Sequence, residues 1–304
     1  MGLAAGAQMA AAPSKAPQGS RAPVPSNRVL EPKPLLVIRP TSGWAALNLK
    51  EIWPYRDLLW TLASRDIKVR YKQTSLGVIW VVLQPLLAAG IFSFVFGKIA
   101  NLPSDGLPYI LFSYSGLQAW TLFATILNRT SGCLVGNDHL ITKVYFPRLI
   151  LPLSSLPSAL LDFIIAMGMM AVLLIAFRVA PRWELLFLPV WMLILMVLAT
   201  GTGLWLAALM VAYRDVRHML PVGTQMLLYA SPVAYAVSVV PEDYRTLYYL
   251  NPLSAPLDAF RWSLLRSGYP PWWALVWSAS LGALALVLGA IMFKRMERTF
   301  ADIV

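Results

Sequence analysis

The chain has 304 residues, of which 58% are hydrophobic and only 13% charged, and its formal net charge is +11. Soluble domains carry about a quarter charged residues, so this composition, with a mean hydropathy of +0.64, excludes an ordinary soluble fold. The lone Cys133 excludes a disulfide framework or a thiolate cluster within the chain.

Residues 1–43 are rich in Ala, Pro, Ser and Gly without apolar periodicity, the composition expected of a flexible cytoplasmic tail. They lack the basic start and continuous apolar core of a signal peptide, and Gly6 stands where a myristoylation signal needs Ser or Thr. Residues 44–75 read as an amphipathic interfacial helix region. Tyr55, Leu58, Leu59 and Leu62 fall on one helical face, and Arg56, Arg65, Lys68, Arg70 and Lys72 stud the other side. From Ile67 to Lys72 apolar and basic residues alternate, which leaves open whether the helix continues there.

Residues 76–304 hold six apolar blocks, each at least 22 residues long: Leu76–Gly97, Leu107–Asn128, Leu156–Phe177, Leu185–Ala212, Met219–Val240 and Trp272–Phe293. A hydrocarbon core of about 30 Å needs about 20 helical residues. The reading is therefore an all-α polytopic membrane protein with six transmembrane helices. Pro, Gly and Ser predict kinks or breaks in the second, third and fifth. Asp162 is the one ionisable residue inside a block. Its place near the cytoplasmic end of the third leaves a structural hydrogen bond, a hydrated position and a functional acid all open. With six spans, nineteen Lys and Arg fall on the side of the termini and six on the other, so both termini are expected in the cytoplasm. The basic residues flank spans rather than line one soluble face, so the net charge implies no nucleic acid.

The loops carry the rest. Residues 135–148 form a polar, basic insert with a Pro break that must protrude into water, where another protein can grip it. Tyr213–Pro221 is a short basic loop on the same side. Residues 241–271, on the outside, are too apolar to float and too charged to cross. They read either as re-entrant helices or as a helix lying on the surface.

There is no GxxxxGK[ST] phosphate loop, no HExxH and no Gly-x-Ser-x-Gly elbow. No catalytic residue or metal site is assigned, and the chain reads as a non-enzyme.

Arg65-Asp-Ile-Lys-Val-Arg-Tyr-Lys-Gln-Thr74, Leu76–Trp80 with Gln84-Pro85, Leu140–Arg148 with Leu151-Pro152, Tyr213-Arg-Asp215 and Asn251-Pro-Leu253 together resemble the permease subunit of polysaccharide-exporting ABC transporters, most closely that for O-antigen. Capsule and teichoic-acid permeases are similar. The resemblance covers Trp44 to the C-terminus. It implies a homodimer in the cytoplasmic (inner) membrane with two copies of a cytoplasmic ATPase subunit. That subunit would hold ATP and magnesium; no cofactor is implied for this chain, whose substrate would be a lipid-linked polysaccharide. By the same likeness, Asn137, Asp138, Ile141, Lys143, Tyr145, Phe146 and Arg148 form a cytoplasmic coupling helix, with Arg214 and Asp215 beside it. The first and fifth spans become channel walls, with Trp80, Gln84, Phe92, Phe96, Tyr229 and Tyr235 as aromatic and polar lining; the competing reading of each aromatic is interfacial or lipid packing. Tyr248, Tyr249, Asn251, Leu253, Leu257 and Phe260 fall in the external re-entrant gate helices. Arg65, Lys68, Arg70 and Lys72 are candidates for gathering a phosphate anchor, with plain attraction to anionic lipid as the alternative. Two rival functions are an ion-coupled secondary transporter and a membrane glycosyltransferase or ligase. The first wants several buried acids and the second a paired carboxylate spacing, and neither stands out here.

Overall fold

The computed structural model describes residues 52–72, 77–137, 139–140, 146–180 and 182–297. The expected tail, Asp138 and residues 141–145 (Ile141, Lys143 and Tyr145 included) lie outside them. Among the described residues all regular structure is helical.

Helix α1 (Arg56–Lys72) follows a 3-10 turn at Trp53–Tyr55 and runs unbroken through the alternating stretch. Its apolar face is protein-facing rather than lipid-facing. Leu62 and Ala63 are buried, and Tyr55, Leu58 and Leu59 pack against a cluster with Phe146, Ile150, Leu204 and Phe293. Burying the stripe against the bundle hides the same apolar area that a headgroup bed would.

Helix α2 (Gly77–Phe92) continues as a π-helical stretch, Ser93–Ile99. Pro85 inside it removes one backbone donor without ending the helix. Helix α3 (Tyr109–Gly132) is continuous, so of the kink or break expected in the second block there is no break. Every residue from Leu111 to Trp120 is buried, so tertiary packing on all sides overrides the helix-weakening Gly and Ser. The third block is likewise unbroken, as α5 (Leu156–Ala176); the junction lies just before it, at Ser155, where the short α4 (Ile150–Ser154) meets α5 between Pro152 and Pro157. A 3-10 turn, Trp183–Phe187, leads into α6 (Leu188–Ala212).

The fifth block is not a full-length helix. Helix α7 (Val216–Tyr229) has 14 residues, none buried, and the chain then turns irregularly before a 3-10 turn at Val237–Val239. At 1.5 Å per residue α7 covers roughly 21 Å, short of a bilayer core of about 30 Å. Two short helices follow, α8 (Glu242–Tyr249) and α9 (Ser254–Leu265), then α10 (Trp272–Met296). Among the described residues, five helical stretches are long and apolar enough to cross a membrane: Val78–Ile99, Tyr109–Gly132, Ile150–Ala176, Trp183–Ala212 and Trp272–Met296.

Glycines set how α6 and α10 meet. Gly282 faces Leu198, Gly201 faces the backbone of Ala285 and Leu286, and Gly289 faces Gly201 and Leu204. A Cβ at Gly201 or Gly289 would strike backbone, so the helices touch main chain to main chain. Their contacts advance together along both sequences, so α6 and α10 are parallel. The chain between them, residues 213–271, therefore returns from the C-terminal end of α6 to the level of its start.

Candidate functional site

At one end of the bundle a compact ion cluster joins four segments. Asp162 on α5 is 8% exposed. It accepts hydrogen bonds from Tyr71 Oη at 2.5 Å and Arg129 Nη2 at 2.7 Å, and Arg70 Nη2 lies 3.2 Å away. Arg129 also donates to Ser158 Oγ. One turn back along α1, Arg65 Nη2 donates to Asp66 Oδ1 at 2.9 Å and to Asn137 Oδ1 at 2.8 Å, while Asn137 Nδ2 donates to the Cys133 carbonyl at 2.9 Å. Burial first, then the bond to Asp162, push the Tyr71 hydroxyl up to about 12, so it remains a donor at any physiological pH.

The arrangement splits the expected basic run. Arg65 and Arg70 are committed to carboxylates, whereas Lys68 and Lys72 project outward, exposed. In exchange it recruits Arg129, which the sequence did not single out because a basic residue closing a span reads as an orientation signal. Two spaces flank the cluster. One, of about 580 Å³, is lined by Arg65, Arg70, Arg129 and Asn137; the other, of about 480 Å³, runs between α2, α3 and α5.

The coupling candidates fall into two groups. Phe146 is 6% exposed and sits in the core with Leu62, Leu134 and Ile150, so it is not a side chain offered to another protein. Arg148 is tied to the end of α10: its N–H donates to Glu297 Oε1 at 3.2 Å and its Nη1 to the Glu297 carbonyl at 2.5 Å. Tyr213, Arg214 and Asp215, by contrast, are exposed on the loop between α6 and α7.

On α2, Trp80 is 52% exposed and Gln84, one turn on, is exposed too. Phe92 and Phe96 are half-buried and meet edge to face at 5.5 Å. Tyr229 is exposed at the end of α7, and its carbonyl accepts a hydrogen bond from Tyr235 Oη at 3.1 Å; Tyr235 in turn accepts one from Tyr248 Oη at 3.0 Å.

The hairpin of α8 and α9 divides the gate candidates into half-buried residues, Tyr248 and Asn251, and buried ones. Leu253, Leu257 and Phe260 are 0–2% exposed, with Phe260 against Phe163 of α5 at 5.9 Å. They belong to the core and line no opening in this conformation, because α9 is wedged among α3, α5 and α6. Tyr249 is buried as well, and its hydroxyl donates to Asp258 Oδ2 at 3.0 Å. Asn251 works as a staple: Nδ2 donates to the Ala230 carbonyl at 3.2 Å and Ser231 Oγ at 3.0 Å, and Oδ1 accepts from Leu253 N–H at 3.1 Å.

Arg261, fully buried, was missed from sequence. Its Nη2 donates to the carbonyls of Pro232 at 2.6 Å and Val233 at 3.2 Å, where the chain leaves α7, and its guanidinium lies 3.9 Å from the centre of the Phe112 ring. Asp258 is its 3.5 Å counter-ion. Gly116 makes the room: a Cβ there would come within 2.5 Å of Arg261 Nη2 and 2.6 Å of the Val233 carbonyl. The available signal was an Asp and an Arg three apart, one helical turn, inside an otherwise apolar stretch.

Comparison with known proteins adds identity to this geometry. Residues 57–265 match the ABC-2 type transporter family. The chain is 27% identical over 248 residues to the O-antigen export system permease protein RfbA of Klebsiella pneumoniae, covering 81% of this chain and 95% of that one. It is 27% identical over 256 residues to the protein of the same name from Myxococcus xanthus, covering 84% and 98%. The polysialic acid transport protein KpsM of Escherichia coli is 22% identical over 241 residues, covering 78% and 92%.

Proposed function

Because this chain belongs to the ABC-2 type transporter family, we propose that it is the channel-forming permease subunit of an ATP-driven exporter carrying a lipid-linked, O-antigen-like polysaccharide across the cytoplasmic membrane. The observation that carries this reading is near-complete coverage of relatives named as O-antigen export permeases. The match to a polysialic acid transporter is weaker in identity, which favours an O-antigen-like polymer over a capsular one.

The chain crosses six times in this proposal. The parallel course of α6 and α10 supports it, since residues 213–271 must return across the bundle between them. Helix α7 and the irregular stretch after it make that fifth crossing, and both termini face the cytoplasm. Two copies of the permease pair around a conduit bordered by α2, the least buried of the spanning helices, and α7, which buries no residue, with Trp80, Phe92, Phe96, Tyr229 and Tyr235 toward the polymer; Gln84 turns instead into the cleft between α2, α3 and α5. Two copies of a cytoplasmic ATPase, which hold ATP and magnesium, dock on the cytoplasmic loops; Tyr213, Arg214 and Asp215 are the exposed contacts. The space lined by Arg65, Arg70 and Arg129 receives the phosphate of the lipid anchor, since guanidinium forks suit phosphate oxygens. Lys68 and Lys72 attract the anionic leaflet around it. The external gate is formed by Tyr248 and its neighbours on α8, with α9 as its rigid footing.

Asp162, held by two arginines and a tyrosine, is ill suited to shuttle a coupling ion, so ion-coupled transport gains nothing from this geometry. Deletion of the gene in its host tests the proposal. Export requires that lipid-linked polymer accumulate on the cytoplasmic leaflet and that the intact gene restore its surface display. Normal display in the deletion strain would contradict it.

A further inference from the structure

We propose that the cleft between α2, α3 and α5 is a glycan-binding groove in which the Gln118 amide donates to a sugar hydroxyl. The inference rests on the reading that the chain exports a polysaccharide, and gives that reading a recognition site within one protomer.

Gln118, Thr121, Thr125 and Asn128 lie three, four and three residues apart, which puts them along one face of α3. All four line the cleft, with Gln84 of α2 opposite. Side chains with hydroxyls and amides are poorly placed against hydrocarbon, and this helix turns them to a cleft instead. The cleft holds about 480 Å³, within the range of pockets that enclose small organic ligands.

Gln118 is the sharpest pointer. It is 1% exposed, and its Nε2 meets no acceptor in good hydrogen-bond geometry; its polar neighbour is the Tyr114 hydroxyl a turn back, which itself donates to the Ala166 carbonyl at 3.0 Å. A buried amide left without an acceptor is a destabilising feature unless an occupant completes it. The stripe itself is uncharged; the charged lining residues, Arg70, Arg129 and Asp162, are gathered at one end of the cleft, next to the other space. The occupant is therefore a neutral unit with many acceptors rather than an ion. Trp120 and Phe163 in the cleft wall add apolar surface suited to the C–H faces of a sugar ring. An acyl chain would fill the space but leave Gln118 without an acceptor.

The test places a photoreactive benzophenone side chain at Gln84 or Thr121, both exposed in the cleft, in cells that produce the polymer. Controls carry it at Tyr229, on the proposed conduit, and at Ile164, on the outer face of α5. Glycan adducts from Gln84, Thr121 and Tyr229 but not Ile164 are expected. Acyl-chain adducts at Gln84 and Thr121, with glycan only at Tyr229, would make the cleft a lipid slot and overturn the inference while sparing the export reading. Glycan at none of the four positions would overturn both. Independently, Gln118→Met, measured in the complex with its ATPase, is expected to cut export about threefold to tenfold, the worth of one neutral hydrogen bond. Its thermal stability should be unchanged or raised. Full export with raised stability would reduce Gln118 to an unsatisfied core group and end the proposal.

Discussion

Asp162 serves three donors, and that fixes what its loss does. Asp162→Asn leaves Arg129, largely buried, without its counter-charge, and should cost about 1–3 kcal/mol, less than a fully buried pair because water reaches Arg70. Adding Arg129→Gln should recover part of that loss, which thermal unfolding of the purified single and double variants measures. Phe146→Ala is expected to cost about 3–5 kcal/mol through a core cavity, so the folded yield falls. Tyr213→Ala, at an exposed position, should leave stability intact yet weaken co-purification of the ATPase. The opposite pattern would return the docking role to Phe146. Leu257→Ala should likewise cost about 2–4 kcal/mol without opening an ion leak in bilayers. A conductance that appears while the fold is intact would restore Leu257 to the gate. None of these distinctions was legible in the sequence, because an apolar residue reads the same whether it packs in a core, docks in a partner's groove or seals a pore.

Five of the six apolar blocks became helices of spanning length because the bilayer imposes a length that composition reveals directly. The fifth block did not, and its reason lies elsewhere in the chain. The carbonyls freed where α7 ends are satisfied by Arg261 and Asn251, which come more than 20 residues later and whose reach no local pattern announces. Gly116→Ala tests that arrangement. Its methyl would collide with Arg261 and the Val233 carbonyl, so a loss of about 1–3 kcal/mol is expected, together with new reactivity of a cysteine placed at Val233, which is buried in the intact protein. Protection of that cysteine in the Gly116→Ala background would mean that Arg261 does not hold the break. The interfacial helix teaches a similar point. Its periodicity identified the apolar face correctly, but only the tertiary structure shows that the face beds on the bundle while Trp53 and Trp60 stay exposed.

At the scale of the molecule, the class of protein was legible from composition, block length and charge asymmetry, and the motif order supplied the family. The bundle is built around a glycine-closed pair, α6 and α10, against which the apolar face of α1 and helix α9 pack. In the proposed function, the energy for export reaches the bundle from a separate ATPase docked on its cytoplasmic loops. Reconstitution tests this most directly. Permease and ATPase are placed in proteoliposomes with lipid-linked polymer in the outer leaflet and ATP outside, so that the cytoplasmic face is exposed. The account predicts that polymer becomes protected from an added glycosidase only when ATP, the ATPase and this chain are all present. Protection without ATP, or driven by an ion gradient in its place, would contradict it.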